Sequence, residues 1–109
     1  MKPLVYSCSG CSNVAQLAND LAVHLDRTDR AQMSCIAGVG GHVKPKVKMA
    51  ISGRKIIALD GCVLNCARQC LNQHGVTPHL HYTLTDFGVV KRYHQPYVES
   101  DVPSIKKLV

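Results

Sequence analysis

The run Lys55 to Leu59 (KIIAL) constrains the fold more than any other stretch of this chain. A continuous apolar segment of that length suits a strand covered on both faces, as at the centre of a parallel sheet. Asp60 and Gly61 break it. Upstream, Pro3 to Ser7 (PLVYS) reads as a first short strand. Ser12 then caps a helix starting near Asn13, whose apolar stripe is Val14, Leu17, Leu21 and Leu25, filled in by Ala18 and Ala22. Met33 to Ala37 (MSCIA) reads as a second strand, ended by Gly38, Gly40 and Gly41. Pro45 suits the first turn of a short helix with Val47 and Ile51 on its apolar side, stopped by Gly53.

After the break at Gly61 the spacing predicts a helix from Cys62 to His74. Val63, Ala67 and Leu71 fall at i, i+4 and i+8, and Gly75 follows its end. His79 to Thr85 (HLHYTLT) alternates, with Leu80, Tyr82 and Leu84 on one face and His79, His81, Thr83 and Thr85 on the other. That pattern predicts a half-exposed edge strand. Gly88 to Tyr97 has no regular period, and Ser100 to Leu108 is expected to form a last short helix.

The order is β-α-β-α-β-α-β, and 109 residues fit one domain, residues 1–109. Right-handed crossovers then give a small open α/β structure, a mostly parallel sheet with helices on both faces and strand order 2-1-3-4. Ligands of such sheets lie beyond the carboxyl ends of the strands where the order reverses. Here that crevice falls between the ends of the first and third strands.

The cysteines follow from this topology. Cys8 and Cys11 come after the first strand, Cys35 lies in the expected second strand beside it, and Cys62 and Cys66 begin the helix after the third. Five of the six cysteines therefore converge on one end of the sheet. Cys70 continues the spacing of Cys62 and Cys66, but about 12 Å of helical rise separates it from Cys62, too far for one shared ion. Zinc takes four ligands, and thiolate suits it, so Cys8, Cys35, Cys62 and Cys66 form a candidate set. Iron–sulfur clusters use the same thiolates. The plainer reading of a free cysteine is a small buried hydrophobe, and it applies best to Cys70. The Cys8-Ser9-Gly10-Cys11 pair also fits a redox or nucleophilic thiol site at a helix start.

Composition narrows the classes. No apolar run approaches the roughly 20 residues of a membrane-spanning helix, and the N-terminus has no signal-peptide core, so a cytoplasmic protein is expected. In that compartment six cysteines point to metal or thiol chemistry, not to a disulfide framework. The formal net charge of +6 raises the prospect of a polyanion partner. The lysines are scattered, however, and with no Trp and one Phe there is little to stack on bases, so nucleic acid is a remote partner.

Cys8-Ser9-Gly10 after a first strand, a cysteine in the second, and Asp60-Gly61-Cys62 followed by Cys66 together resemble the DGC-domain family, which is described as zinc-binding. The run IALDGCVLNCARQCL (Ile57 to Leu71) is the most specific part, and LTDFGVVK (Leu84 to Lys91) also resembles that family. The resemblance covers nearly the whole chain. It implies a small α/β domain with cysteine-bound Zn²⁺ and no established reaction. The family pattern falls on Cys8, Cys35, Cys62 and Cys66. Cys11 and Cys70 lie outside its core, which leaves Cys11 open as a replacement for Cys8 or Cys35. Asp60 comes with the motif, either orienting a ligand from behind or serving as a turn and helix-cap residue.

Other candidates carry less. His79 and His81 share a strand face about 7 Å apart, the spacing of a ligand pair but also of solvated edge residues. His42, after the glycine-rich loop, is the one further histidine candidate. Cys8 to Val14 contains no arginine to hold phosphate, which excludes a low-molecular-weight phosphatase site. Gly38 to Gly41 lacks the Lys-Ser/Thr of a P-loop. The leading expectation is a metal-binding module that presents a surface to a protein partner. The alternatives are a thiol enzyme or redox protein using Cys8 or Cys11, and a metal-transfer or sensor protein.

Overall fold

In the computed structural model, which describes residues 1–102, strand β3 (Ile56–Asp60) lies between β1 (Leu4–Ser7) and β4 (Leu80–Thr83). Both pairings are parallel, running from Leu4↔Ile56 to Ser7↔Leu59 and from Ile57↔Leu80 to Asp60↔Thr83. A two-residue strand, β2 (Gln32–Met33), pairs in parallel with the other edge of β1. The order β2-β1-β3-β4 is the one that the sequence predicts.

Alternation along the two inner strands divides the core. Val5 and Leu59 pack against helix α1 (Asn13–Arg27), whose Val14, Leu17, Leu21 and Leu25 are all buried. Each such side chain contributes about 1.5–3 kcal/mol. Leu4, Tyr6, Ile56 and Ala58 point to the opposite face. There they meet Val39 of α2 (Ile36–Gly40), Ala50 of α3 (Lys44–Ala50) and Leu71 of α4 (Cys66–Asn72). Ser12 caps α1, its side chain accepting the Ala15 N–H at 3.2 Å. Among the described residues, no helix is long and apolar enough to cross a membrane.

Three local expectations are corrected. The second strand ends at Met33, so Cys35 is not in a strand; it is the N-cap of α2, its Sγ accepting the Gly38 N–H at 3.4 Å. The glycines after it form a helical turn that packs against α4. A Cβ on Gly40 would lie 2.9 Å from the Cys70 sulfur. The fourth helix begins at Cys66 and not at Cys62, because Asn65 takes a left-handed conformation (φ 51°) that interrupts the helical path. Val63 therefore faces solvent at 75 % exposure instead of joining the stripe. Finally, β4 stops at Thr83 and a 3₁₀ turn, Leu84–Phe87, takes over. Of the last expected helix, Glu99–Asp101 is a 3₁₀ turn and residues 103–109 lie outside the described part.

Candidate metal centre

Parallel pairing of β1 with β3 continues one residue beyond β1, where the Cys8 N–H donates to the Leu59 carbonyl at 3.0 Å. This places Cys8 at the floor of the crevice, with its sulfur accepting the Gly61 N–H at 3.1 Å. Burial pushes the Cys8 thiol up to about 11, and the nearby Asp60, Cys66 and Cys62 push the same way. The Gly61 N–H offsets only part of this. On its own, Cys8 keeps its proton at neutral pH.

Gly61 is glycine because the start of α1 presses on it. A Cβ there would meet the Val14 carbonyl carbon and oxygen at 2.7 and 2.8 Å and the Ala15 nitrogen at 2.9 Å. That close approach brings the loop after β3 onto the helix that carries Cys11 at its entry.

Asp60, fully buried at the end of β3, organises the next turn. Its Oδ1 accepts the Ala67 N–H at 2.8 Å, and its Oδ2 accepts the Arg68 N–H at 3.2 Å and His81 Nε2–H at 2.8 Å. The Ala67 and Arg68 N–H groups belong to the first turn of α4, which has no cap from its own Asn65 side chain, and His81 lies on β4. A carboxylate at that position is favoured by the helix dipole as well. Asn65 fixes the same turn from the other side: oriented to satisfy its neighbours, its amide donates to Thr83 Oγ1 at 2.8 Å and to the Cys62 carbonyl at 3.2 Å, and accepts from Arg68 at 3.1 Å. The residues between Cys62 and Cys66 are thereby held at both ends.

Cys8, Cys11, Cys62 and Cys66 line a single cavity of about 240 Å³, with Lys91 and Tyr93 also on its wall. Cys8 is buried, Cys62 half-buried, and Cys11 and Cys66 exposed. The Lys91 ammonium donates to the Cys62 sulfur at 3.3 Å and sits 4.8 Å from the centre of the Tyr93 ring. Tyr93 first, and Cys62 second, push Lys91 above the ordinary lysine range. Among the described residues, no group of three or more His, Cys, Asp or Glu side chains stands close enough as placed to hold a metal ion. The four thiols share a cavity without being drawn together.

The remaining sequence candidates stand elsewhere. Cys35 opens onto a separate cleft with Asp26, Met33 and Lys46. Cys70 lies on α4 against Gly40, its thiol pushed up by burial and then by Cys66 and Asp60. His42 meets the His74 ring edge-on, centroids 4.7 Å apart, and contacts Gln73. His79 Nδ1 accepts the Ile56 N–H at 3.1 Å, and His81 holds Asp60. Neither member of the strand-face pair faces the cysteines' cavity, and both are engaged with the sheet.

Two residues were not visible as site residues in the sequence. Asn13, completely buried, ties down the segment after β4. Its N–H donates to the Arg92 carbonyl (3.1 Å), its Oδ1 accepts the Arg92 N–H (2.6 Å), and its Nδ2 donates to the Val90 carbonyl (2.8 Å). Lys91, between those anchors, reaches Cys62. A buried asparagine in a first helical turn has no periodic signature, and the only sequence signal for Lys91 was its place in the LTDFGVVK run.

The family model for the DGC domain matches residues 4–109. The anaerobic and virulence modulator AnvM of Pseudomonas aeruginosa is 65 % identical over 91 residues, which span 84 % of this chain and 70 % of that protein. No solved structure matches the chain. With Gly61 and Cys62 of the Asp60-Gly61-Cys62 turn on the wall of the cysteine-lined cavity and the family model spanning residues 4–109, the chain belongs to the DGC-domain family.

Proposed function

We propose that this chain is a regulatory module that holds one zinc ion through thiolates of Cys8, Cys62 and Cys66, with Cys11 as the fourth ligand. The observation that carries the reading is that these four cysteines line one cavity at the carboxyl ends of β1 and β3. The donor chemistry fits: all four are free thiols, and thiolate is the preferred zinc donor. Binding requires the thiols to turn inward and Cys8 to lose its proton, which a divalent cation favours strongly. A four-thiolate zinc site is closed, so its contribution is to link elements of the fold and not to activate water. The chain's own residues prepare it. The Gly61 N–H supports the Cys8 sulfur, and Asp60 fixes the helix turn that carries Cys66.

Cys35 belongs to the pattern that the family resemblance implies, but its separate cleft favours Cys11 as the fourth ligand. The test is zinc affinity by competition with a chromophoric chelator. Structural sites bind with about 10–16 kcal/mol shared over four ligands, so losing one weakens binding roughly a hundredfold. Cys11→Ser is expected to show that loss and Cys35→Ser to retain wild-type affinity. The reverse result returns the fourth position to Cys35.

The exposure of Cys11 and Cys66 supports a second reading, a metal-transfer or redox sensor, because accessible thiolates exchange ligands and react with oxidants. The relative's name, an anaerobic and virulence modulator, supports a regulatory role over an enzymatic one. Zinc retained in full by Cys11→Ser, with Cys11 the fastest thiol to alkylate, would favour the redox form of this reading.

A further inference from the structure

We propose that Lys91 is a built-in counter-ion of the thiolate site, held against Cys62 by the Asn13 clamp, and that it tunes how tightly the site holds its metal. The inference rests on the zinc reading above and deepens it. Four thiolates around a divalent ion leave a charge of about −2, and the buried Asp60 carboxylate behind the turn adds to it. Among the described residues, Lys91 is the only cationic side chain lining the cavity.

Its position is enforced from both sides. The three Asn13 hydrogen bonds fix the backbone at Val90 and Arg92, and Val89 is buried against the α1 side of the core. The Lys91 side chain then leaves the segment between two fixed points. Its ammonium contacts the Cys62 sulfur at 3.3 Å and the face of the Tyr93 ring. A cation over an aromatic ring is attracted by the ring's quadrupole, so Tyr93 restrains the ammonium beside the sulfur. An N–H···S bond draws electron density from a thiolate and disperses its charge, as partners behind the ligands of metal sites do. Lys91 is thus a positioning and charge-compensating residue for Cys62 and does not itself touch the metal.

The test compares full-length wild type, Lys91→Met and Lys91→Arg. Zinc affinity is read by chelator competition, and the sulfur-to-metal charge-transfer band is read with cobalt(II) in place of zinc. Methionine keeps the aliphatic stem and removes the charge, and metal-free thermal unfolding checks that the fold is unaltered. Lys91→Met is expected to weaken zinc binding about tenfold or more and to move the cobalt band to lower energy. Lys91→Arg is expected to restore most of both, which a merely structural role would not produce. Equal affinity and an unmoved band in Lys91→Met, with wild type binding zinc, would overturn this inference alone. A wild-type protein that binds neither ion would overturn the zinc reading, and the inference with it.

Discussion

Gly61→Ala is expected to lose roughly 3 kcal/mol of stability, at the upper end of overpacking effects. The added methyl would stand within 3 Å of three backbone atoms of Val14 and Ala15. Backbone at the start of a packed helix has no rotamer to change, so either α1 or the loop after β3 must move. Both carry cavity residues, and zinc affinity should fall with stability. Gly75→Ala is the control: its φ of +72° imposes left-handed strain, but nothing lies within 4 Å of the new Cβ. That strain costs about 1 kcal/mol. Thermal unfolding of the two variants separates the mechanisms. For a domain of this size each kcal/mol lowers Tm by about 4–8 °C, so Gly61→Ala should melt about 8–16 °C below Gly75→Ala. Equal melting temperatures would show that α1 yields to the methyl, and that the glycine is not what allows this packing.

The second large effect is expected at Asp60. Its carboxylate is fully buried and accepts three N–H groups from two elements. Asp60→Ala leaves the Ala67 and Arg68 N–H groups without their partner and strands His81 beside a void. The loss should reach about 3–5 kcal/mol. Asp60→Asn keeps the volume, but its NH₂ group must face N–H donors, so it should recover only part of that loss. His81→Ala removes a single hydrogen bond from a partly exposed ring and is expected to cost the least of the three. The order of denaturant midpoints checks the account. A result with His81→Ala as damaging as Asp60→Ala would mean that the pair, and not the capping of α4, is what matters.

These two residues mark how far the sequence could be read. The strand order and the two-faced core were legible because the run Ile56 to Leu59 is apolar throughout and α1 has an unbroken stripe, and both patterns survive in the burial. Asp60-Gly61-Cys62 was legible as a turn with chemistry. Its geometry was not: periodicity alone runs the helix back to Cys62, since the left-handed Asn65 leaves no trace in a hydrophobic pattern. The same blindness put Cys35 in a strand. Met-Ser-Cys-Ile-Ala has the composition of a strand, but the two-residue β2 is too short to carry it, and of the glycines that follow Gly38 is pressed by Lys46 of α3 and Gly40 by Cys70 of α4. The Asn13 clamp joins residues 77 or more positions apart, so no local reading could find it.

In the proposed site Cys8, Cys11, Cys62 and Cys66 together hold one ion. This arrangement is tested most directly by elemental analysis of tag-free protein purified without added metal, together with a count of thiols that react in the folded form. About one zinc per chain and two reactive thiols, Cys35 and Cys70, are expected. Protein that carries no metal and reacts also at Cys11, Cys62 and Cys66 would contradict it.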